Sequence, residues 1–263
     1  MKFIQNTFLM ACLLAFQLKA FAGPAFAVAP DRMHIQLNQT KTYAFIIKNT
    51  GDQLIHVRIT QNFLTAESKA LDAGKRLNTL AEEKQTSLVP YTIISPRVLS
   101  LEPTQQRDVR ISIRPPKNLK PGTYREHISV KMLEVARQYS TSKKSNGKNV
   151  GINLNLLLQI APVIYGDTGT NQAKVSLSCG LAKDGTLTLN AINKTPWHFS
   201  GIVDGYALSN AKKPLFTLHE NIFRETQKTI HTAWKPDFNN IKLIWRNQFN
   251  TQAAPQTTIC HLN

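Results

Sequence analysis

Acidic residues are scarce in this chain: 16 Asp and Glu stand against 32 Lys and Arg, a formal charge of +16 over 263 residues. Catalytic signatures are missing too. The seven histidines (His34, His56, His127, His198, His219, His231 and His261) form no H-x-H or H-E-x-x-H pair, so no metal-ligand spacing is visible. There is no Gly-rich phosphate loop and no G-x-S-x-G elbow around a nucleophile. The one adjacent carboxylate pair singled out, Glu82 and Glu83, lies in a polar stretch. The expectation is a protein that is not an enzyme, with no cofactor, no metal and no small-molecule substrate. A site assembled in space from scattered residues is the rival.

Long apolar runs are also lacking, apart from "FLMACLLAF" at residues 8–16. It follows Lys2 and precedes two small-x-small sites, Ala20-Phe21-Ala22 and Ala25-Phe26-Ala27. A basic start, a short apolar run and such sites read as a cleaved signal peptide, assigned to residues 1–27 with cleavage after Ala22 or Ala27. The run falls short of the about 20 apolar residues that span a bilayer. "LMAC" before Cys12 has the look of a lipoprotein box, but Cys12 sits inside the apolar run rather than after it. Losing Lys2 and Lys19 takes the charge from +16 to +14. Such a field favours acidic partners. The cations are scattered, however, and the densest cluster, "TSKKSNGK" at 141–148, has no aromatics among them, so nucleic acid is not an expected partner.

Cysteine is rare. Beyond Cys12 there are two, Cys179 and Cys260. In an oxidising compartment an even pair reads as one disulfide, closing a loop of about 80 residues worth roughly 4–5 kcal/mol in the chain-entropy model. Two buried free thiols are the alternative.

What the chain has in quantity is alternation. Met33, Ile35 and Leu37 recur at every second position, as do Tyr43, Phe45 and Ile47, then Val57 and Ile59, then Val109, Ile111 and Ile113, then Ile128, Val130 and Met132. Turn formers separate these runs, as in "NTGD" at 49–52 and "AKDGT" at 182–186, where Asp-Gly suits a hairpin. Short alternating runs between turns read as antiparallel sandwiches. The polar, Ala/Leu-bearing stretch 65–85 reads as an insertion or long loop with a helical turn or two. Gly166, Asp167 and Gly169 read as a hinge between two all-β domains, 28–165 and 166–263. One larger sandwich is the alternative.

The longest alternation is "NVGINLNLLLQIAP" at 149–162, with Val150, Ile152, Leu154, Leu156, Leu158 and Ile160 on one face. It spans ~36 Å at ~3.3 Å per residue, long beside a typical strand. An ordinary core strand explains alternation alone. A strand with an open edge, preceded by the loose basic segment "STSKKSNGK", can instead lend its side chains to a partner. Burying six such side chains is worth ~9–18 kcal/mol before ordering costs.

Three stretches carry a resemblance. "APDRMHIQLNQTKTYAFIIKNTGD" (29–52), "IISPRVLSLEPTQQRDVRISI" (93–113) and "LKPGTYREHISVKM" (119–132) resemble, in order and spacing, the first domain of the PapD-like periplasmic chaperones of pilus assembly, in a divergent branch. Residues 166–263 resemble that family by size, strand pattern and the late cysteine only. The resemblance implies two immunoglobulin-like β-sandwich domains in a boomerang arrangement. It implies a location in the periplasm and binding of incomplete pilin or fimbrial subunits, which are then passed to an outer-membrane usher. The ruler falls at the family's donor strand, so Val150, Ile152, Leu154, Leu156, Leu158 and Ile160 become the subunit-binding residues. The family's carboxylate-anchoring first-strand arginine falls on Arg32 or His34, with Arg97 a further candidate. The companion lysine position falls on Ala161 or Pro162, where no lysine stands. Arg110 and Glu126 match motif positions and are expected to be structural, and His127 is expected to be a hydrogen-bonded strand histidine, not a ligand. In the free chain a second copy could cap the donor strand as a dimer. The other reading of the whole chain is a secreted sandwich that is adhesive or structural and does not act as a chaperone.

Overall fold

The computed structural model describes residues 23–69, 74–133, 157–208, 213–237 and 239–262. Val150, Ile152, Leu154 and Leu156 lie outside the described residues, as does the N-terminal apolar run.

The alternating runs become strands. In the first half these are β1 (Phe26–Ala29), β2 (Arg32–Gln36), β3 (Lys41–Asn49), β4 (Ile55–Asn62), β5 (Lys75–Arg76), β6 (Thr92–Ser95), β7 (Val98–Leu101), β8 (Gln106–Ile113), β9 (Gly122–Met132), β10 (Gln159–Ile160) and β11 (Val163–Thr168). One short helix, α1 (Leu80–Lys84), interrupts them. The sheet β1-β3-β8-β6 packs on the sheet β2-β11-β9-β4-β7, and β10 adds to β9. Phe45 and Ile47 on β3, Val57 and Ile59 on β4, Val109 and Ile111 on β8, and Ile128 and Val130 on β9 meet between them with almost no exposure. These are the period-two residues of the sequence, all turned to one side. The Asn49 side chain fixes the turn between β3 and β4. Its Nδ2 donates to the carbonyls of Gln53 (2.8 Å) and Leu101 (2.9 Å), and its Oδ1 accepts from the Gly51 N–H (3.0 Å).

The second half forms β12 (Val175–Leu181), β13 (Leu187–Asn193), β14 (Phe199–Ala207), β15 (Phe216–Ile222), β16 (Thr226–His231), β17 (Asn240–Asn247) and β18 (Gln256–His261). Two sheets result, β12-β13-β16-β5 and β15-β14-β17-β18. Their core is separate from the first and includes Leu187, Leu189, Val203, Ile241 and Leu243. The Asp-Gly hairpin forms between β12 and β13, with Gly185 at φ +79° and Asp184 Oδ1 accepting from the Thr186 N–H at 3.0 Å. Cys179 on β12 and Cys260 on β18 form a disulfide between the two sheets.

Two expectations change. Gly166 and Asp167 do not form a hinge. They lie inside β11, which stays paired with β9 as far as Thr168 opposite Gly122. Gly166 is needed for packing, because a Cβ there would meet Leu37 at 2.7–2.8 Å. Of the three hinge residues only Gly169, at φ +75°, lies beyond the strand. The stretch 65–85 does supply a helical turn, capped by Thr79 and Glu82, but it also carries β5, a strand of the second sandwich's sheet.

Candidate functional site

The end of the apolar ruler lies along β9. Gln159 pairs with Lys131 and Ile160 with Val130, while β11 pairs Val163 with His127 in the same register. The Met132 N–H donates to the Leu158 carbonyl (2.9 Å) and the Ile128 N–H to the Pro162 carbonyl (2.8 Å). Residues 158, 160 and 162 therefore turn their main-chain groups toward β9. By the alternation of a strand, Leu157, Gln159 and Ala161 turn theirs the opposite way. At Val163 that opposite side is occupied: its N–H donates to Asp31 (3.0 Å), and β2 runs parallel to β11 from Arg32 onward. Alongside 157–161, among the described residues, no strand pairs with that side. Among the described residues it is an open sheet edge. Leu158 and Ile160 are half-buried against the first core, while Leu157 is 43% exposed.

The three anchor candidates separate. Arg32 is exposed at the start of β2, opposite Val163, where the open edge ends. His34 is already engaged. Its Nε2 lies 2.8 Å from Asp167 Oδ2, and its ring stacks on Phe249 at 3.6 Å between centroids. Arg97 lies just before β7, at the other end of the sheet from β2. Four strand spacings of ~4.8 Å put it roughly 19 Å away. It lines a cleft of about 450 Å³ with Arg58, Gln61, Val89 and Val98. Arg32 and Arg97 therefore do not form one site.

Sequence reasoning missed the junction between the sandwiches. Asp167 is fully buried and accepts hydrogen bonds from Thr123 Oγ1, His34 Nε2 and Asn171 Nδ2. Asn171 Nδ2 also donates to the His198 carbonyl (3.0 Å). Tyr165 stacks on His198 with centroids 4.0 Å apart, and burial pushes its hydroxyl up to about 12 against the lowering charges of Arg125 and Arg32. The Arg125 guanidinium lies 4.9 Å from the Phe63 ring and 4.4 Å from Phe223, a cation between two aromatic faces. Its Nη2 donates to Glu83 Oε1 (2.6 Å). Glu126 is buried and accepts from Thr92 Oγ1 (2.5 Å), and burial raises its pKa. His127 is buried with neither ring nitrogen partnered, and burial, then Arg125, lowers it to about 4. The histidine is therefore not the hydrogen-bonded strand residue expected of it, and Glu126 Oε1 is likewise buried without a partner. Among the described residues no group of three His, Cys, Asp or Glu side chains could hold a metal ion.

No family model matches the chain, and no curated protein matches it. Solved structures do. In the structure of Salmonella enterica SafA pilin in complex with the SafB chaperone, the matching chain is 13% identical with a TM-score of 0.50, over 89% of this chain and 96% of that one. The fold is that of the pilus chaperones. Further matches include the Escherichia coli chaperone DraB (12% identical, TM-score 0.48, 91% of this chain and 97% of that one). A chain in the CsuC–CsuE pre-assembly complex of Acinetobacter baumannii also matches (11% identical, TM-score 0.49, 91% and 99%). The pilus-chaperone fold accounts for two sandwiches in one chain. The open edge at 157–161 is a property of this chain's own register.

Proposed function

We propose that this protein is a periplasmic chaperone that binds incomplete pilus or fimbrial subunits by lending them a strand, and that it delivers them to an outer-membrane usher. The observation that carries the reading is the open edge at Leu157, Gln159 and Ala161, backed by the half-covered side chains of Leu158 and Ile160. A subunit lacking one strand has main-chain groups and an apolar groove to satisfy, and such an edge offers both. The donor residues run from Val150 to Ile160 by the same alternation. Lending a strand is a binding event and needs neither catalysis nor cofactor.

The geometry also favours a direction. A strand lying on 157–161 parallel to the ruler ends where β2 begins, so its C-terminal carboxylate arrives at Arg32. An antiparallel strand would bring an amino end to the same cation. We assign the anchor to Arg32 and the parallel direction to the partner. His34 is held by Asp167, and Arg97 lies at the far side of the sheet.

Gln159→Pro tests this reading. The 159 N–H points away from β9, so proline removes a bond to the partner while the pairing with β9 stays. Co-expressed with the short secreted subunits it serves, the variant should fold as the parent does and lose the co-purified subunit. Equal recovery of the pair from periplasm, with folding intact, would sink strand lending through this edge.

A further inference from the structure

We infer that residues 74–87, part of the first sandwich by sequence, form a strap that locks the two sandwiches into one cooperative unit at a fixed angle. The strap grips the second sandwich first. Arg76 pairs with Thr226 and Lys75 with Gln227, so β5 becomes the edge strand beside β16. The Leu77 N–H donates to the Glu225 carbonyl (2.7 Å) and Asn78 Nδ2 to Glu225 Oε2 (2.8 Å). Gly74 permits the approach: its φ is +98°, and a Cβ would lie 2.3 Å from the Gln227 carbonyl oxygen.

The chain then returns to the first sandwich. The capping box of Thr79 and Glu82 starts α1, which places Glu83 inward. Glu83 Oε1 accepts from the Ala66 N–H (2.5 Å) and from Arg125 Nη2. Its Oε2 lies 3.5 Å from Arg76, which in turn bonds Glu67 at 2.7 Å. After the helix, the Arg125 N–H donates to Thr86 (2.9 Å), and the Leu88 N–H donates to Arg125 (2.9 Å). One carboxylate thus joins a β9 arginine, a β5 arginine and the loop after β4, while Arg125 stacks on Phe223 of the second sandwich. A two-residue strand so polar has no stability of its own. It persists because the strap that carries it is fixed to both sandwiches, to the second through β5 and Glu225 and to the first through Glu83 and Thr86.

The inference holds whether or not the chain lends a strand, and it is tested on the free, oxidised protein without any subunit. Calorimetry and small-angle scattering should show one unfolding transition and one narrow distribution of interdomain distances. Gly74→Val should push β5 off β16, and Leu77→Pro should remove the bond to Glu225 without touching either core, since Leu77 is 45% exposed. In each variant the single transition is expected to split, with the weaker sandwich melting about 5 °C or more below the other, and the distance distribution is expected to broaden. Two transitions in the parent protein would overturn the inference. So would a single transition and an unchanged scattering profile in both variants.

Discussion

Asp167 has no contact with solvent and accepts from three donors on different parts of the chain. Replacing it with Asn keeps the shape but turns one acceptor into an amide that faces donors. Asp167→Asn should cost about 2–3 kcal/mol in urea unfolding, because hydrogen bonds to a buried charge are the strong ones. His127 sets a second residue-scale expectation. Its folded pKa, about 4, lies below the unfolded value of 6.5. Between those two the unfolded chain binds the extra proton, so stability is complete above pH 6.5 and falls as pH drops toward 4. The loss reaches about 3 kcal/mol from this one group. His198, fully buried and also lowered, acts in the same direction. Unfolding curves from pH 7 to 4.5 should show the decline, and His127→Gln should flatten it.

Among the elements, β1 favours one of the two small-x-small sites as the point of cleavage of the expected signal peptide. Phe26 is 6% exposed in the first core, the Thr50 and Gly51 N–H groups donate to the Ala25 carbonyl, and residues 26–29 pair with β3. Cleavage after Ala27 would remove that anchor and half of the strand. We expect the mature chain to begin at Gly23, and N-terminal sequencing of the secreted protein checks it. The same scale shows what could be read from sequence. β3, β4 and β8 were legible because each buries one face over most of its length, and burial on one face writes a period of two; β9 showed it only at Ile128, Val130 and Met132, since nearly all of that strand is buried on both faces. The open edge was half legible. Alternation marked Leu158 and Ile160, but the side that lacks a neighbour depends on where β2 starts. β5 was not legible at all, since Lys75 and Arg76 are polar and their partners lie 150 residues further on, at Thr226 and Gln227. The junction was hidden for a similar reason. Tyr165, His198, Phe223 and Phe249 come from unrelated stretches, brought together only by tertiary packing. Gly166 misled because a glycine that admits Leu37 looks, in sequence, like a glycine that bends the chain.

Across the whole molecule, several of the scarce acids have structural partners. Glu67, Glu83, Asp204, Glu220 and Glu225 are held in ion pairs with Lys or Arg, and Asp167 is held by hydrogen bonds. Glu83, Asp167 and Glu225 sit where the sandwiches meet. These carboxylates thus tie strands and sandwiches together.

The segment 157–168 keeps one register on β9 from end to end. Its first residues are the free edge and its last ones are walls of the junction. A departing partner that tugs on the edge along its axis would strain all of those bonds together, in shear, instead of peeling them off singly. The load would then arrive at Asp167, beside Tyr165 and the Arg125 clamp. If the chain lends its strand as proposed, release of a subunit would become a mechanical event felt where the two halves of the molecule join.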